Sequence, residues 1–142
     1  MNYSLLIHAL GESRLKRDVP LAPHTYFKLG GPADLLYEAH TVDELVSAVQ
    51  SAILYQVPYL TLGGGSNVLF TESGYRGLII KNKTSQIQLK GFAGGVDKGK
   101  LDLKEAIVQA DSGVPANLLI RYTLDQGLSG LEEMLGLPGS VG

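Results

Sequence analysis

The residues best suited to chemistry in this chain are Leu62-Gly63-Gly64-Gly65-Ser66-Asn67, a glycine triplet that follows the apolar stretch from Tyr59 to Leu62. Residues without a Cβ let successive backbone N–H groups point at one spot and let a ligand approach the main chain closely. Such a row grips a pyrophosphate without positive side chains, and Ser66 and Asn67 add side-chain donors. A tight strand-to-strand connection is the plainer reading of a lone glycine loop. The run is not a P-loop, because no Gly-Lys-Ser/Thr follows, and the chain has no G-x-G-x-x-G fingerprint. A second loop, Gly136-Leu137-Pro138-Gly139-Ser140-Val141-Gly142, offers further backbone donors at Gly139, Ser140 and Val141. By itself this stretch reads as a flexible tail. Two Gly/Ser loops on one α/β unit strengthen the expectation of a shared ligand.

Composition excludes other chemistry. The 142 residues contain no Cys, which removes disulfides, thiolate catalysis and Cys-based metal sites. His8, His24 and His40 are spaced 16 apart, which matches no local metal motif, so no metal site is expected. With 12 basic and 14 acidic residues the net charge is −2. No broad basic field exists for nucleic acid or an anionic membrane. No apolar run reaches the roughly 18–20 residues of a membrane helix, and Met1 to Leu10 lacks the features of a signal peptide. The expected location is the cytoplasm.

Several elements must position these loops. Residues 1–19 read as a short helical lead-in, and Thr25 to Leu29 as a strand or extended arm closed by Gly30-Gly31-Pro32. Asp34 to Ala39 suggests a buried strand. Thr41 with Glu44 three residues later forms a capping box, opening a helix with an apolar stripe at Val42, Leu45, Val46, Val49, Ile53 and Leu54. Pro58 ends it. Buried strands follow at Tyr59–Leu62 and Leu78–Ile80, then an antiparallel hairpin from 85–92 and 101–110 joined by a turn over 94–99. A final helix begins at Pro115 and runs to Gly127.

Four stretches together carry a family resemblance. Pro23 to Pro32 (P-H-T-Y-F-K-L-G-G-P), followed by Ala33-Asp34, resembles the T-F-x-x-G-G-P-A-D opening of the UDP-N-acetylenolpyruvoylglucosamine reductases (UDP-N-acetylmuramate dehydrogenases). Leu62 to Leu69 is similar to that family's L-G-G-G-S-N-x-L loop, with Gly74, Gly77 and Ile80 matching its trailing G-x-x-G-x-x-I. Gly127 to Glu132 and Gly136 to Gly142 resemble its G-L-x-G-L-E and G-I-P-G-S-V-G-G segments. The motifs stand in the family's order from about Pro20 to Gly142.

The resemblance implies an α+β FAD-binding domain of the vanillyl-alcohol-oxidase (PCMH) type, with the flavin between two α+β subdomains. It implies a lead-in over 1–20, a first subdomain over 21–84 and a second, incomplete one over 85–142, the substrate domain being absent. Carried over by position, Gly63, Gly64, Gly65, Ser66 and Asn67 hold the flavin phosphates, and Gly139, Ser140 and Val141 lie along its other side. Tyr26 and Phe27 border the adenine or support the loop, or else belong to the core. The family's activity takes hydride from NADPH onto FAD and passes it to the enolpyruvyl ether of a UDP-sugar, making UDP-N-acetylmuramate for peptidoglycan. Its acid/base residues have no counterpart here, so no catalytic residue is assigned and the chain alone is expected not to turn over. Small-molecule partners are implied, and a monomer for the complete enzyme. Asp111-Ser112-Gly113-Val114 departs from the family's A-G-A-G-V run, setting the Asp111 carboxylate close to a flavin-facing strand end. The alternatives are an inactive fragment and a flavin oxidase of the same fold with another substrate. The latter ranks low, because no His follows the glycine loop.

Overall fold

A computed structural model describes residues 2–97 and 100–142. Its elements are helix α1 (Tyr3–Leu10), strands β1 (Leu15–Pro20) and β2 (Pro32–Ala39), helix α2 (Val42–Leu54), strands β3 (Tyr59–Leu62), β4 (Tyr75–Asn82), β5 (Ile87–Asp97) and β6 (Lys100–Ala110), and helix α3 (Ala116–Asp125). Helices and strands are mixed along the chain, as the α+β class requires.

Four strands form the first sheet in the order β1-β2-β4-β3. β1 runs antiparallel to β2, while β2 and β3 both run parallel to β4. The register of β2 on β4 slips between Ala33 and Leu35. The extra residue of that bulge is on β4, and along β2 Ala33 and Leu36 pack on one face while Leu35, Tyr37 and Ala39 pack on the other. On the second of these faces Leu78 and Ile80 pack with Leu6, Ile7 and Leu10 of α1 and with Ala48 and Ala52 of α2. Opposite, Leu36, Leu62 and Ile79 of the sheet pack with Leu21 and Phe70 from the chain that wraps it. Fully burying a side chain such as Leu36, Leu78 or Ile79 stabilises by about 1.5–3 kcal/mol.

The N-terminal stretch is more than a helical lead-in. α1 sits on the core, and Leu15–Pro20 is an edge strand whose half-exposed pattern hid its pairing with β2. Thr25 to Leu29 forms no strand. The Thr25 Oγ1 hydroxyl donates toward Ala22 O and Leu29 O at 3.3 and 3.0 Å, and Lys28 adopts a φ of 57°. Local side-chain bonding there wins over extension. On α2 the buried positions are Ala48 and Ala52, with Leu45 and Val49 partly covered. Val42, Val46, Ile53 and Leu54 of the expected stripe face outward, because small alanines let the helix lie close to the sheet. β3 is a sheet edge, and only its Leu62 is buried.

The hairpin of β5 and β6 is antiparallel, as its alternation predicts. β5 continues through Asp97, past the start of the expected turn, whose Lys98 and Gly99 lie outside the described residues. The Leu89 N–H donates to the Tyr122 hydroxyl at 3.2 Å and ties α3 to the hairpin.

Candidate functional site

β2, β3 and β4 end on the same side of the sheet, and the glycine run leaves directly from the C-terminal end of β3. In sheets with parallel strands this edge is the ordinary place for a ligand. The second loop is brought here by main-chain bonds. The Ala116 N–H donates to Gly139 O at 3.1 Å, Val141 N–H to Val114 O at 2.9 Å, and Gly142 N–H to Ser112 O at 2.9 Å. The rack beneath it is fixed in turn: Asn82 Nδ2 donates to Ser112 Oγ at 2.8 Å, and Gly113 N–H to Thr84 Oγ1 at 3.1 Å.

The two loops meet. They enclose an open cavity of about 300 Å³ lined by Gly63 to Asn67 on one side and by Pro138, Gly139, Ser140 and Gly142 on the other. Their separation is set by the missing side chains. A Cβ on Gly64 would stand 3.1 Å from Gly139 Cα, and one on Gly63 would stand 2.5 Å from Ser140 Oγ. The backbone N–H groups of Gly64, Gly65, Ser66, Asn67 and Ser140 have no acceptor among the described residues. Five donors around one cavity, without a protein partner, suit an anion with several oxygens.

Gly65 has a different task from its neighbours. Its φ is +75°, a Cβ there would sit on the His24 carbonyl, and its own carbonyl accepts from Tyr26 N–H at 2.9 Å. It is fixed by the passage of the 24–26 segment. Val141 is set back as well. Its N–H is committed to Val114 O, it does not line the cavity, and its residue is exposed, so the expectation that it offers a backbone donor is corrected. Tyr26 and Phe27 are 66% and 59% exposed, stacked edge to face at 5.8 Å, which removes the core reading for both. The Asp111 carboxylate turns to the start of the hairpin, where Oδ2 accepts from Gln86 N–H at 2.9 Å, so it does not oppose an anion between the loops.

The sequence reading missed the positive charge. Gly64 also borders a second cavity of about 480 Å³, lined by His24, Lys28, Lys81 and Lys83 and by no carboxylate. Burial pushes the Lys81 ammonium below its ordinary pKa, with Lys83 adding repulsion. Burial likewise lowers His24, and Lys81 adds to that effect. The signal was available in Leu78-Ile79-Ile80-Lys81, whose alternation sets Lys81 on the face of Ile79 beneath the loop. Among the described residues no group of three His, Asp or Glu is arranged to hold a metal ion, and no helix is long and apolar enough to cross a membrane.

No protein-family profile matches the chain. Curated relatives do. The UDP-N-acetylenolpyruvoylglucosamine reductase of Rubrobacter xylanophilus is 40% identical over 127 residues, covering 89% of this chain and 39% of the relative. That of Carboxydothermus hydrogenoformans is 40% identical over 123 residues, covering 87% and 37%. The Clostridium perfringens enzyme is 33% identical over 141 residues, covering 99% and 42%. Among solved structures, UDP-N-acetylenolpyruvylglucosamine reductase from Thermus caldophilus superposes with a TM-score of 0.63 at 31% identity, over 91% of this chain and 40% of that one. Alkyldihydroxyacetonephosphate synthase, at 20% identity and a TM-score of 0.54 over 89% of this chain and 26% of that one, shares the fold alone. The chain spans about two-fifths of the length of the curated relatives it matches. Relatedness along nearly all of its residues, on the FAD-binding fold of the vanillyl-alcohol-oxidase class, matches this chain to the N-terminal part of the UDP-N-acetylenolpyruvoylglucosamine reductases.

Proposed function

We propose that the cavity between the two glycine loops holds the pyrophosphate of FAD, and that the chain is the flavin-binding part of an NADPH-dependent reductase. The observation carrying this reading is the row of backbone N–H groups at Gly64, Gly65, Ser66 and Asn67, without an acceptor among the described residues, in a loop that lines one cavity together with Gly139 and Ser140. A pyrophosphate brings several acceptor oxygens and negative charge, matching the donors on one side and the lysine-lined cavity on the other. Gly63 and Gly139 keep the loops narrow and Ser66, Asn67 and Ser140 supply further donors, so the residues present fit the group. When bound, FAD supplies the hydride chemistry between NADPH and the enolpyruvyl ether of UDP-N-acetylglucosamine. The chain's own contribution is to bind and orient, and none of its residues is assigned a catalytic role. We place this activity in the cytoplasm, in peptidoglycan synthesis, with soluble small-molecule partners.

The test is direct. The purified chain mixed with FAD and passed over a sizing column is expected to carry flavin absorbance with the protein peak. Protein eluting colourless at flavin concentrations near 100 μM, roughly the weak end of cofactor affinities, overturns the reading.

A further inference from the structure

Lys81 is the charged residue whose place in the core calls for an explanation. It lies on the sheet face of Leu36, Leu62 and Ile79, opposite Leu62 in the β3–β4 register, and only 7% of it is exposed. An ammonium taken out of water is costly unless it is hydrogen-bonded. Among the described residues it has one hydrogen-bond partner, the Gly63 carbonyl at 2.5 Å. Glu38 of β2 favours its charge from a distance, and Lys83, just past the end of β4, opposes it.

We propose that Lys81 is the positioning residue of the glycine loop, fixing the first peptide plane of the N–H row. Within one peptide unit the carbonyl and the following N–H point in opposite directions. Holding the Gly63 carbonyl against Lys81, which lines the cavity of His24 and Lys83, sends the Gly64 N–H the other way, toward the side shared with Gly139. Glycine has little conformational preference of its own, so a triplet left to itself samples many orientations of these amides. One charged hydrogen bond at its first residue removes that freedom before a ligand arrives. The inference rests on the flavin reading and adds to it a residue without direct contact with the phosphates.

Two variants in the 142-residue chain test it, each read by FAD titration and by urea unfolding without FAD. Lys81→Met keeps the length and removes the charge. Because an apolar residue on an apolar face is no less stable than a buried charge, its urea midpoint is expected to equal or exceed that of the parent. FAD affinity is nevertheless expected to fall by about tenfold or more. Lys81→Arg, which retains a charged donor, is expected to stay within about threefold of the parent. If Lys81→Met does not fold, Lys81→Gln is read in its place, with weaker FAD binding at an unchanged midpoint as the supporting result. Parent-like FAD binding by the uncharged variant overturns the proposal, as does a parallel loss of binding and stability, which marks Lys81 as structural only. A parent chain that binds no FAD overturns the flavin reading itself, which a parent that binds and a variant that matches it leaves standing.

Discussion

A side chain at Gly64 and a methyl group at Gly65 do different damage. At Gly64 the added Cβ stands 3.1 Å from Gly139 Cα, so Gly64→Val pushes the second loop outward and fills the space between the two. The fold keeps its buried residues, and the expected outcome is loss of FAD binding with a change in unfolding free energy below about 1 kcal/mol. At Gly65 the backbone is left-handed, and the methyl group would occupy the position of the His24 carbonyl. Gly65→Ala is expected to lower stability by about 1–3 kcal/mol in urea, with or without flavin. If both substitutions remove flavin at full stability, the division of labour within the triplet is wrong.

Among the elements, α2 shows how local chemistry sets a boundary. Thr41 Oγ1 accepts from Glu44 N–H at 3.2 Å, while the Glu44 carboxylate accepts from His40 N–H at 2.8 Å, one residue ahead of the reach expected of a capping box. Removing the hydroxyl in Thr41→Ala is expected to cost about 1 kcal/mol. The His40 N–H bond, and after it the bond from Arg14, hold the Glu44 carboxyl below its ordinary pKa. A group whose folded pKa is depressed contributes stability that is present above its unfolded pKa of 4.5 and lost as pH falls through the folded value. The parent is therefore expected to lose stability on acidification by more than Glu44→Gln does. Urea midpoints at neutral pH and at about pH 3 make the comparison. Equal acid losses in both chains would show that the carboxylate contributes nothing to the cap.

For the whole molecule, a polar junction adds to the apolar packing that seats α1 on the sheet. The Tyr3 hydroxyl donates to Asp34 Oδ2 at 2.8 Å, and Arg76 bonds the other carboxylate oxygen at 2.6 Å, so α1, β2 and β4 meet at a single side chain. Burial first, then the bond to Asp34, pushes the Tyr3 phenol from 10.0 to about 12. Its folded pKa is raised, so its contribution is complete below pH 10.0 and is lost as pH climbs through about 12. Tyr3→Phe is expected to be less stable than the parent at neutral pH, and the gap is expected to close under alkali. Chemical unfolding followed by helix ellipticity between pH 8 and pH 11.5, a range spanning roughly the unperturbed phenol pKa, measures it. A gap independent of pH would remove Asp34 from the account.

What the residues declared by themselves was local. Leu78–Ile80 and Asp34–Ala39 read as buried strands because apolar β-formers are legible without a partner. Thr41 marked the start of α2 because a cap is decided within four residues. The two glycine loops stood out as candidates because a run of residues lacking Cβ has few uses. Only the tertiary structure could decide that these loops face each other. The contact between Gly64 and Gly139 spans 75 positions and is made by the pairing of the Ser112–Val114 segment with Val141 and Gly142. The same holds for Leu15–Pro20, a strand only because β2 offers it an edge, and for Lys81, whose burial exists only once the glycine loop closes over the sheet. Propensity acts over a turn or a strand, whereas pairing, burial and charge placement depend on which distant segments the folded chain brings together.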